Sequence, residues 1–512
     1  MRYGFAIDQR TCIGCHACTV ACKTEHEVPV GQFRTWVKYV DQGVFPNTTR
    51  DFGVMRCNHC TDAPCVTICP TKALFKREDG IVDFDNSRCI GCKSCMQGCP
   101  YDAIYIDEDN HTAAKCNFCA HRIDNNLEPA CVVVCPTHSI WVGDLDDPKS
   151  GISKLINANP VTVRSPEQNT GPNVFYLGAD RAVLDPLAAP VDKNYMFSTP
   201  DPHRLEVAGD LKTDPVTRAR TTMNTAHPRP WGWRVTAYLW LKGLGGGALI
   251  VAALAVLLGI DLGVLTTLVA PALAVLGTAL TGALLVWDLK RPERFLYILT
   301  KSNFSSWLVL GAYALAAFGA VSGVWLLYGI GTETGLVDAQ PGLLKTLAWL
   351  ALPTGFGVAG YTAFLFGQAE GRDLWQSPLL LWHLLVQAVM VGAGALAITA
   401  LIAGTTAPGV RLIGAALTIA TVVHLLMLLG EYGGKHATAA AAAGAHMITH
   451  GRYAPMFWGG AVLLSVLAAA VAGFGWAGTV AAALALAGAA VQVALLCYES
   501  VFVRAGQDVP LS

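Results

Sequence analysis

Sixteen of the chain's seventeen cysteines lie between Cys12 and Cys135, and no other feature restricts the fold so strongly. They form four groups of four: Cys12, Cys15, Cys18 and Cys22; Cys57, Cys60, Cys65 and Cys69; Cys89, Cys92, Cys95 and Cys99; Cys116, Cys119, Cys131 and Cys135. Every group opens C-x2-C and closes C-x3-C. Three groups end in Cys-Pro, at Pro70, Pro100 and Pro136. Whatever fold this sequence adopts, it must gather soft thiolates around several centres.

A cubane cluster presents four irons at the corners of a tetrahedron, and each iron takes one thiolate. Two-residue spacers let one turning loop reach three corners. A fourth cysteine before proline leads away to a second cluster, as in the bacterial ferredoxin run. Sixteen thiolates therefore suit four [4Fe–4S] clusters, with all sixteen cysteines as iron ligands. Gly14 and Gly91 stand where such loops must turn tightly. Rival chemistries fit less of the pattern. C-x2-C is too tight for an ordinary disulfide. Structural zinc asks for paired knuckles, without a third cysteine and a Cys-Pro in fixed register. Cys15-His16 completes a C-x-x-C-H haem-attachment motif, but no other group carries a histidine there.

The 512 residues average only 14% charged, and their mean hydropathy is +0.42. That is too apolar for a soluble protein of this size. The average conceals two halves: a polar, cysteine-rich one to about Arg234, then long runs of Ala, Leu, Val and Gly. A net charge of −1 without a basic tail gives no sign of nucleic-acid binding. Met1–Arg10 has no apolar core and the chain no Arg-Arg pair, so neither a secretory nor a twin-arginine signal is expected. Reduced thiolates fit a reducing compartment.

Fold class follows: an α+β double ferredoxin-like iron–sulfur domain at the N-terminus, then an all-α membrane domain of eight transmembrane helices. The domains are expected at 1–180 for the clusters, 181–234 for an extended tether, 235–498 for the membrane and 499–512 for a tail. Short alternating segments, 80–85 and 103–107, read as hairpin strands, with Asp79-Gly80 as a turn. Arg88-Cys89-Ile90-Gly91-Cys92 echoes the stretch at 10–15, an internal repeat of two ferredoxin-like modules. Residues 146–230, dense in proline, read as a strap on the cluster domain followed by a tether.

A bilayer needs roughly 20 apolar residues per helix. Spans are expected at 235–259, 262–287, 306–329, 344–367, 378–403, 411–430, 455–473 and 477–498, with 473–476 supplying the last turn. Eight spans put both termini on one side. That side carries twelve Lys and Arg near the helix ends, from Arg218 to Arg504, against Lys345 and Arg411 opposite. The positive-inside bias thus predicts a multi-pass protein of the cytoplasmic membrane with the clusters in the cytoplasm.

Ionisable groups near lipid are functional by default. Asp288 and Arg291 close the second span, Tyr238 and Lys242 lie on the first, and Glu431 and His436 end the sixth. All are expected at the cluster-side end of the bundle. An apolar slot there, with hydrogen-bonding groups and a proton carrier, would suit a quinone such as menaquinone. The bland alternative has Lys242 snorkelling and Asp288 capping its helix. His383 and His424 read as buried helix residues, with a haem b pair as the rival. Cys497 reads as structural.

Residues 1–180 resemble the four-cluster electron-transfer subunits of the dimethyl sulfoxide and polysulfide reductase type, on the four cysteine groups and Asn173-Val174-Phe175-Tyr176-Leu177. The membrane half resembles the NrfD-type anchor of polysulfide reductase, on Asp288–Arg294, Trp307 and Gly311-Ala312-Tyr313. The two look fused here. The resemblance implies one cluster on Cys12, Cys15, Cys18 and Cys135, and another on Cys22, Cys116, Cys119 and Cys131. It implies a third on Cys57, Cys60, Cys65 and Cys99, and a fourth on Cys69, Cys89, Cys92 and Cys95. It also implies a molybdopterin catalytic subunit as partner, the membrane quinone pool as substrate, and electron transfer between them with protons exchanged near Asp288, Glu431 or His436. Two other classes compete: a module of a larger respiratory assembly resembling alternative complex III with multihaem cytochromes, and a membrane half that merely tethers the clusters.

Overall fold

The computed structural model describes residues 1–191, 217–225 and 229–512. Most of the expected tether, 192–216 and 226–228, lies outside the described residues. What is described of 181–234 is docked. Arg181–Leu184 forms a short helix, and β11 (Arg220–Met223) joins the cluster domain as an edge strand.

In the N-terminal part, β1 (Tyr3–Asp8) runs between antiparallel β8 (Ile140–Asp144) and parallel β10 (Val174–Leu177), with β9 (Val161–Thr162) outside β10. The Asn173–Leu177 stretch thus returns the chain to its own first strand. A long hairpin, β2 (Thr35–Val44) and β3 (Asn47–Arg56), makes a second sheet with β11. Two small hairpins sit where alternation predicts them: β4 (Leu74–Lys76) with β5 (Val82–Phe84), and β6 (Ile104–Asp107) with β7 (Thr112–Lys115). Gly80 turns between β4 and β5 at φ +82°. Gly14 and Gly91, at φ +69° and +68°, make the expected turns in the first and third cysteine loops. A Cβ at Gly91 would also strike Lys290, so this loop meets the membrane part directly.

Among the described residues eight helices are long and apolar enough to cross a membrane: Trp233–Leu258, Leu265–Trp287, Trp307–Glu333, Pro341–Gly367, Leu380–Ala403, Ala407–Gly433, Met456–Gly478 and Ala481–Asp508. Two expectations need correction. Residues 473–476 are helical, and the turn falls at Thr479, whose left-handed φ of +54° ends the seventh span. The eighth span runs to Asp508, so 499–508 are no tail. Val501, Phe502, Val503 and Ala505 are buried there, and packing against Phe366, Trp375 and neighbouring helices keeps the helix going beyond the expected length.

The two halves share one core. Cys57, Cys65, Cys69, Cys95, Cys99 and Tyr101 pack in the same apolar cluster as Trp231, Tyr238, Phe366 and Trp375. Polar bonds key the joint. Gln507 accepts from Gln97 (2.7 Å) and exchanges bonds with the Trp231 backbone. Buried Arg372 donates to Gln97 at 2.8 Å. Asn303 donates to the Cys69 carbonyl at 2.8 Å, and Ser306 to that of Ile68 at 2.7 Å.

Candidate functional site

The cysteines come together in four sets. Cys69, Cys89, Cys92 and Cys95 line one enclosed cavity with Ile90 and Ala113. Cys65 lies among Cys99, Cys57 and Cys60. Cys22 lies among Cys116, Cys131 and Cys119, and Cys12 beside Cys135 and Cys15. Electrostatic influence between sets runs in series: Cys65 acts on Cys95, Cys57 on Cys116, and Cys131 on Cys18. Cys15 alone of the sixteen is exposed, at the far end of that series.

The donor set fits iron–sulfur clusters. Burial, helped by neighbouring thiolates, pushes the Cys60 and Cys92 thiols up to about 12. Burial likewise raises Cys99 to about 11. Metal cations deprotonate such thiols outright. Backbone amides already face the sulfurs: Gly91 and Ala113 donate to Cys89 at 3.4 Å, and Ser139 to Cys135 at 3.3 Å. Cys15-His16 is no haem motif here, because the His16 ring bonds Tyr39 at 2.9 Å, and Tyr39 donates to the Gly14 carbonyl. His26 stands 3.1 Å from Cys119 Sγ, and its pKa is lowered to about 4, chiefly by burial.

Below the set of Cys69, Cys89, Cys92 and Cys95 lies a cavity of about 420 Å³ between the first four spans. Cys92, Ser94 and Trp231 form its roof; Tyr238, Leu285, Leu315, Tyr361 and Leu365 form its walls; Asp288 sits at the rim. The size suits a small-molecule ring. Asp288 Oδ2 pairs with Lys93 Nζ at 2.7 Å, and Oδ1 lies 3.6 Å from Arg234. Lys93 belongs to the cysteine loop itself, between Cys92 and Cys95. One carboxylate therefore touches both the cavity and the cluster loop.

The other predicted residues separate. Arg291 donates to the Asn110 carbonyl at 2.6 and 2.9 Å, which docks the two halves and takes it away from the cavity. Glu431 accepts from Ser377 at 2.6 Å and, like His436, is no part of the cavity wall. Lys242 does not snorkel. It is buried in the first span, donating to Thr362 (2.6 Å) and to the Ala359 and Val358 carbonyls, with the Tyr361 ring 4.6 Å away.

Sequence reasoning missed Lys93, Tyr361 and Glu499. Glu499 is buried on the eighth span with one carboxylate oxygen lacking a hydrogen-bond partner among the described residues. Its charged neighbour is Lys242. Beside it, Tyr498 bonds His383 at 3.4 Å, and the His383 and His424 rings stand 5.7 Å apart. Drawing the eighth span to its full length would have exposed Glu499 as an intramembrane acid.

Comparison with known proteins agrees with both halves. Residues 49–145 match the model for a 4Fe-4S dicluster domain, and residues 221–510 match that for "Polysulphide reductase, NrfD". Over 190 residues the sequence is 46% identical to a tetrathionate reductase subunit of Salmonella typhimurium, covering 36% of this chain and 76% of that relative. Over 187 residues it is 38% identical to a polysulfide reductase chain of Wolinella succinogenes, covering 36% of this chain and 98% of the relative. It is 35% identical to the arsenate respiratory reductase iron–sulfur subunit of a Shewanella species over 225 residues, 35% of this chain and 96% of the relative.

Proposed function

This protein belongs to the polysulphide reductase NrfD family, fused to an iron–sulfur dicluster domain, and from that premise we propose that it carries electrons between a membrane quinone and a separate molybdopterin catalytic subunit. The observation that carries the reading is the shared wall. Cys92, Asp288, Tyr238 and Tyr361 line one apolar cavity, so a ring held there would touch a cluster ligand and a carboxylate together.

Each [4Fe–4S] cluster, when bound, takes up and releases one electron. The four sets described above are the ligand sets we propose: Cys69, Cys89, Cys92 and Cys95 at the membrane; then Cys57, Cys60, Cys65 and Cys99; then Cys22, Cys116, Cys119 and Cys131; and Cys12, Cys15, Cys18 and Cys135 at the surface. The partner docks at the exposed Cys15 end. Oxidising one quinol gives two electrons to this series and two protons to the protein. The Tyr238 and Tyr361 hydroxyls are suited to hold the ring oxygens, and Asp288 to accept a proton. Lys93 holds the Asp288 carboxylate at the rim through their 2.7 Å pair.

Orientation rests on fewer charges than the sequence count. Arg291, Arg294 and Arg372 bond the cluster domain, Arg229 and Arg452 meet Asp508, Arg234 meets Asp288, and Arg218 and Arg220 lie at or beside the edge strand β11 of the cluster domain. Lys290, Lys301, Lys435 and Arg504 against Lys345 and Arg411 remain in favour of clusters on the cytoplasmic face.

Gly282 lines the cavity, and a side chain added there meets nothing within 4 Å. Gly282→Phe puts a ring into the slot without replacing any cysteine. It is expected to abolish quinol-driven cluster reduction and leave dithionite reduction unchanged. Normal quinol rates in that variant would remove the cavity from the reading. Metal analysis of the gently purified complex tests the partner: molybdenum or tungsten with a large co-purifying subunit supports it, and covalent haem without molybdenum replaces it with a cytochrome-linked assembly.

A further inference from the structure

Arg56 and Lys115 are fully buried cations, and each directly precedes the first cysteine of a group, Cys57 and Cys116. Each also ends the second strand of a hairpin, β3 and β7 respectively. The fold thus repeats one device: a hairpin carries a cation inward and releases it beside a cysteine loop.

What meets these cations is sulfur and carbonyl oxygen. Arg56 Nη1 donates to Cys131 Sγ at 3.3 Å, and its guanidinium stacks 4.4 Å from the Phe5 ring. Its Nε and Nη2 have no hydrogen-bond partner among the described residues. No carboxylate pairs with it among the described residues. The charges that act on it are Cys131, Cys116 and Cys18, drawn from two adjacent cysteine sets. Lys115 Nζ donates to the carbonyls of Val82 and Cys116, and its charge reaches Cys116 and Cys65, the next junction along the series. By contrast Lys93, at the membrane end, is matched by Asp288.

A buried, unpaired guanidinium is strongly unfavourable in a low-dielectric interior unless a negative charge stands close by. Four thiolates on a cubane supply that charge, and one more electron increases it. We propose that Arg56 and Lys115 are fixed counter-charges at the inner junctions of the series, raising the reduction potentials of the clusters they touch above that of the cluster at the quinone cavity. Arg56 acts on the clusters of Cys18 and of Cys116 and Cys131; Lys115 acts on those of Cys116 and of Cys65. Electrons entering from the membrane then move inward and stay there, away from the cavity. The inference rests on the proposed ligand sets and not on the quinone reading.

The test is a mediated redox titration of the full-length protein, reduced with dithionite and followed by electron paramagnetic resonance, with no quinone present. Arg56→Gln is expected to shift two of the four midpoints negative. Each shift should be at least a tenfold change in the oxidised-to-reduced ratio at fixed potential, which is 59 mV for one electron. The other two midpoints should stay in place, and Arg56→Lys should restore the shifted pair. Unmoved midpoints at full iron content would overturn the proposal, as would a uniform shift of all four. If Arg56→Gln loses iron, Lys115→Gln asks the same question at the next junction. A negative shift confined to two clusters supports the proposal, and none overturns it. Because quinone takes no part, a failed quinone reading leaves this result intact.

Discussion

The cluster domain and the membrane bundle each bury a whole cation, and they treat it in opposite ways. Arg56 is left with two unbonded nitrogens among sulfurs. Lys242 has its donors matched by three oxygens, with Glu499 as its charged neighbour. The first arrangement is complete only when metal is present; the second is complete within the protein. The cluster domain is therefore a shell built around its cofactors, whereas the bundle is a framework that stands without them.

Four experiments can break or sharpen that contrast, in descending order of expected effect. The largest comes from stripping the iron with a chelator under reducing conditions. Without irons, sixteen mostly buried thiols and Arg56 lose their common partner, and metal-held structure goes with the metal. Limited proteolysis should then cut freely within residues 1–180 while the spans from Trp233 onward stay protected in detergent. Equal protection of both halves would erase the distinction.

Next is Asp288→Asn. The amide cannot take a proton and leaves Lys93 without its charge partner. Quinol-driven cluster reduction should slow about a hundredfold, the low end for a lost proton-transfer group, while dithionite reduction is unaffected. A normal quinol rate would reduce Asp288 to a docking residue.

Third is Lys242→Met, which strands Glu499. A buried carboxylate left without its nearest opposite charge loses at least about 1–3 kcal/mol. Thermal unfolding in detergent should show that loss, and Lys242→Met combined with Glu499→Leu should recover most of it. No recovery would mean that the two charges are not coupled.

The smallest concerns Lys38, fully buried on β2 and donating to the Val183 carbonyl at 3.3 Å. Burial lowers its pKa to about 7 from an ordinary 10.5. Between those values the unfolded chain holds a proton that the folded chain releases, so stability rises with pH across that window. Below about pH 7 the penalty for charging the buried amine is fully present. Lys38→Met should stabilise the cluster domain at pH 6 and lose that advantage towards pH 10, as read by unfolding midpoints at the two values. A pH-independent effect would show that the amine is paired in a way its surroundings do not suggest.

Legibility in the sequence followed the same divide. Cysteine spacing is covalent information, so the loops, the turns at Gly14 and Gly91 and the two small hairpins could be read directly. Hydropathy gives helix count and approximate depth, so eight spans were also readable. Neither says which helix lies beside which. Asp288 and Tyr238 share a cavity with Tyr361, while Glu431 and His436, at similar depth, lie elsewhere because the sixth span packs in another part of the bundle. Lys93 looked like an ordinary spacer between cysteines, and only the docked halves reveal its partner. Glu499 was lost because bilayer thickness was taken to end the last helix, when protein packing carries it to Asp508.

Gly91 sits where the third cysteine loop meets the membrane half: its carbonyl accepts from the Lys290 amide at 3.2 Å, and a methyl group at its Cα would strike Lys290. That makes it a natural feeler gauge between wire and membrane. The position is the thickness of one hydrogen atom, and it fixes how near the membrane-side cluster can come to whatever occupies the slot beneath. Alanine there is a shim. It would leave every ligand and every cavity residue in the chain while pressing on Lys290 and straining the left-handed turn of the loop that carries Cys89 and Cys92.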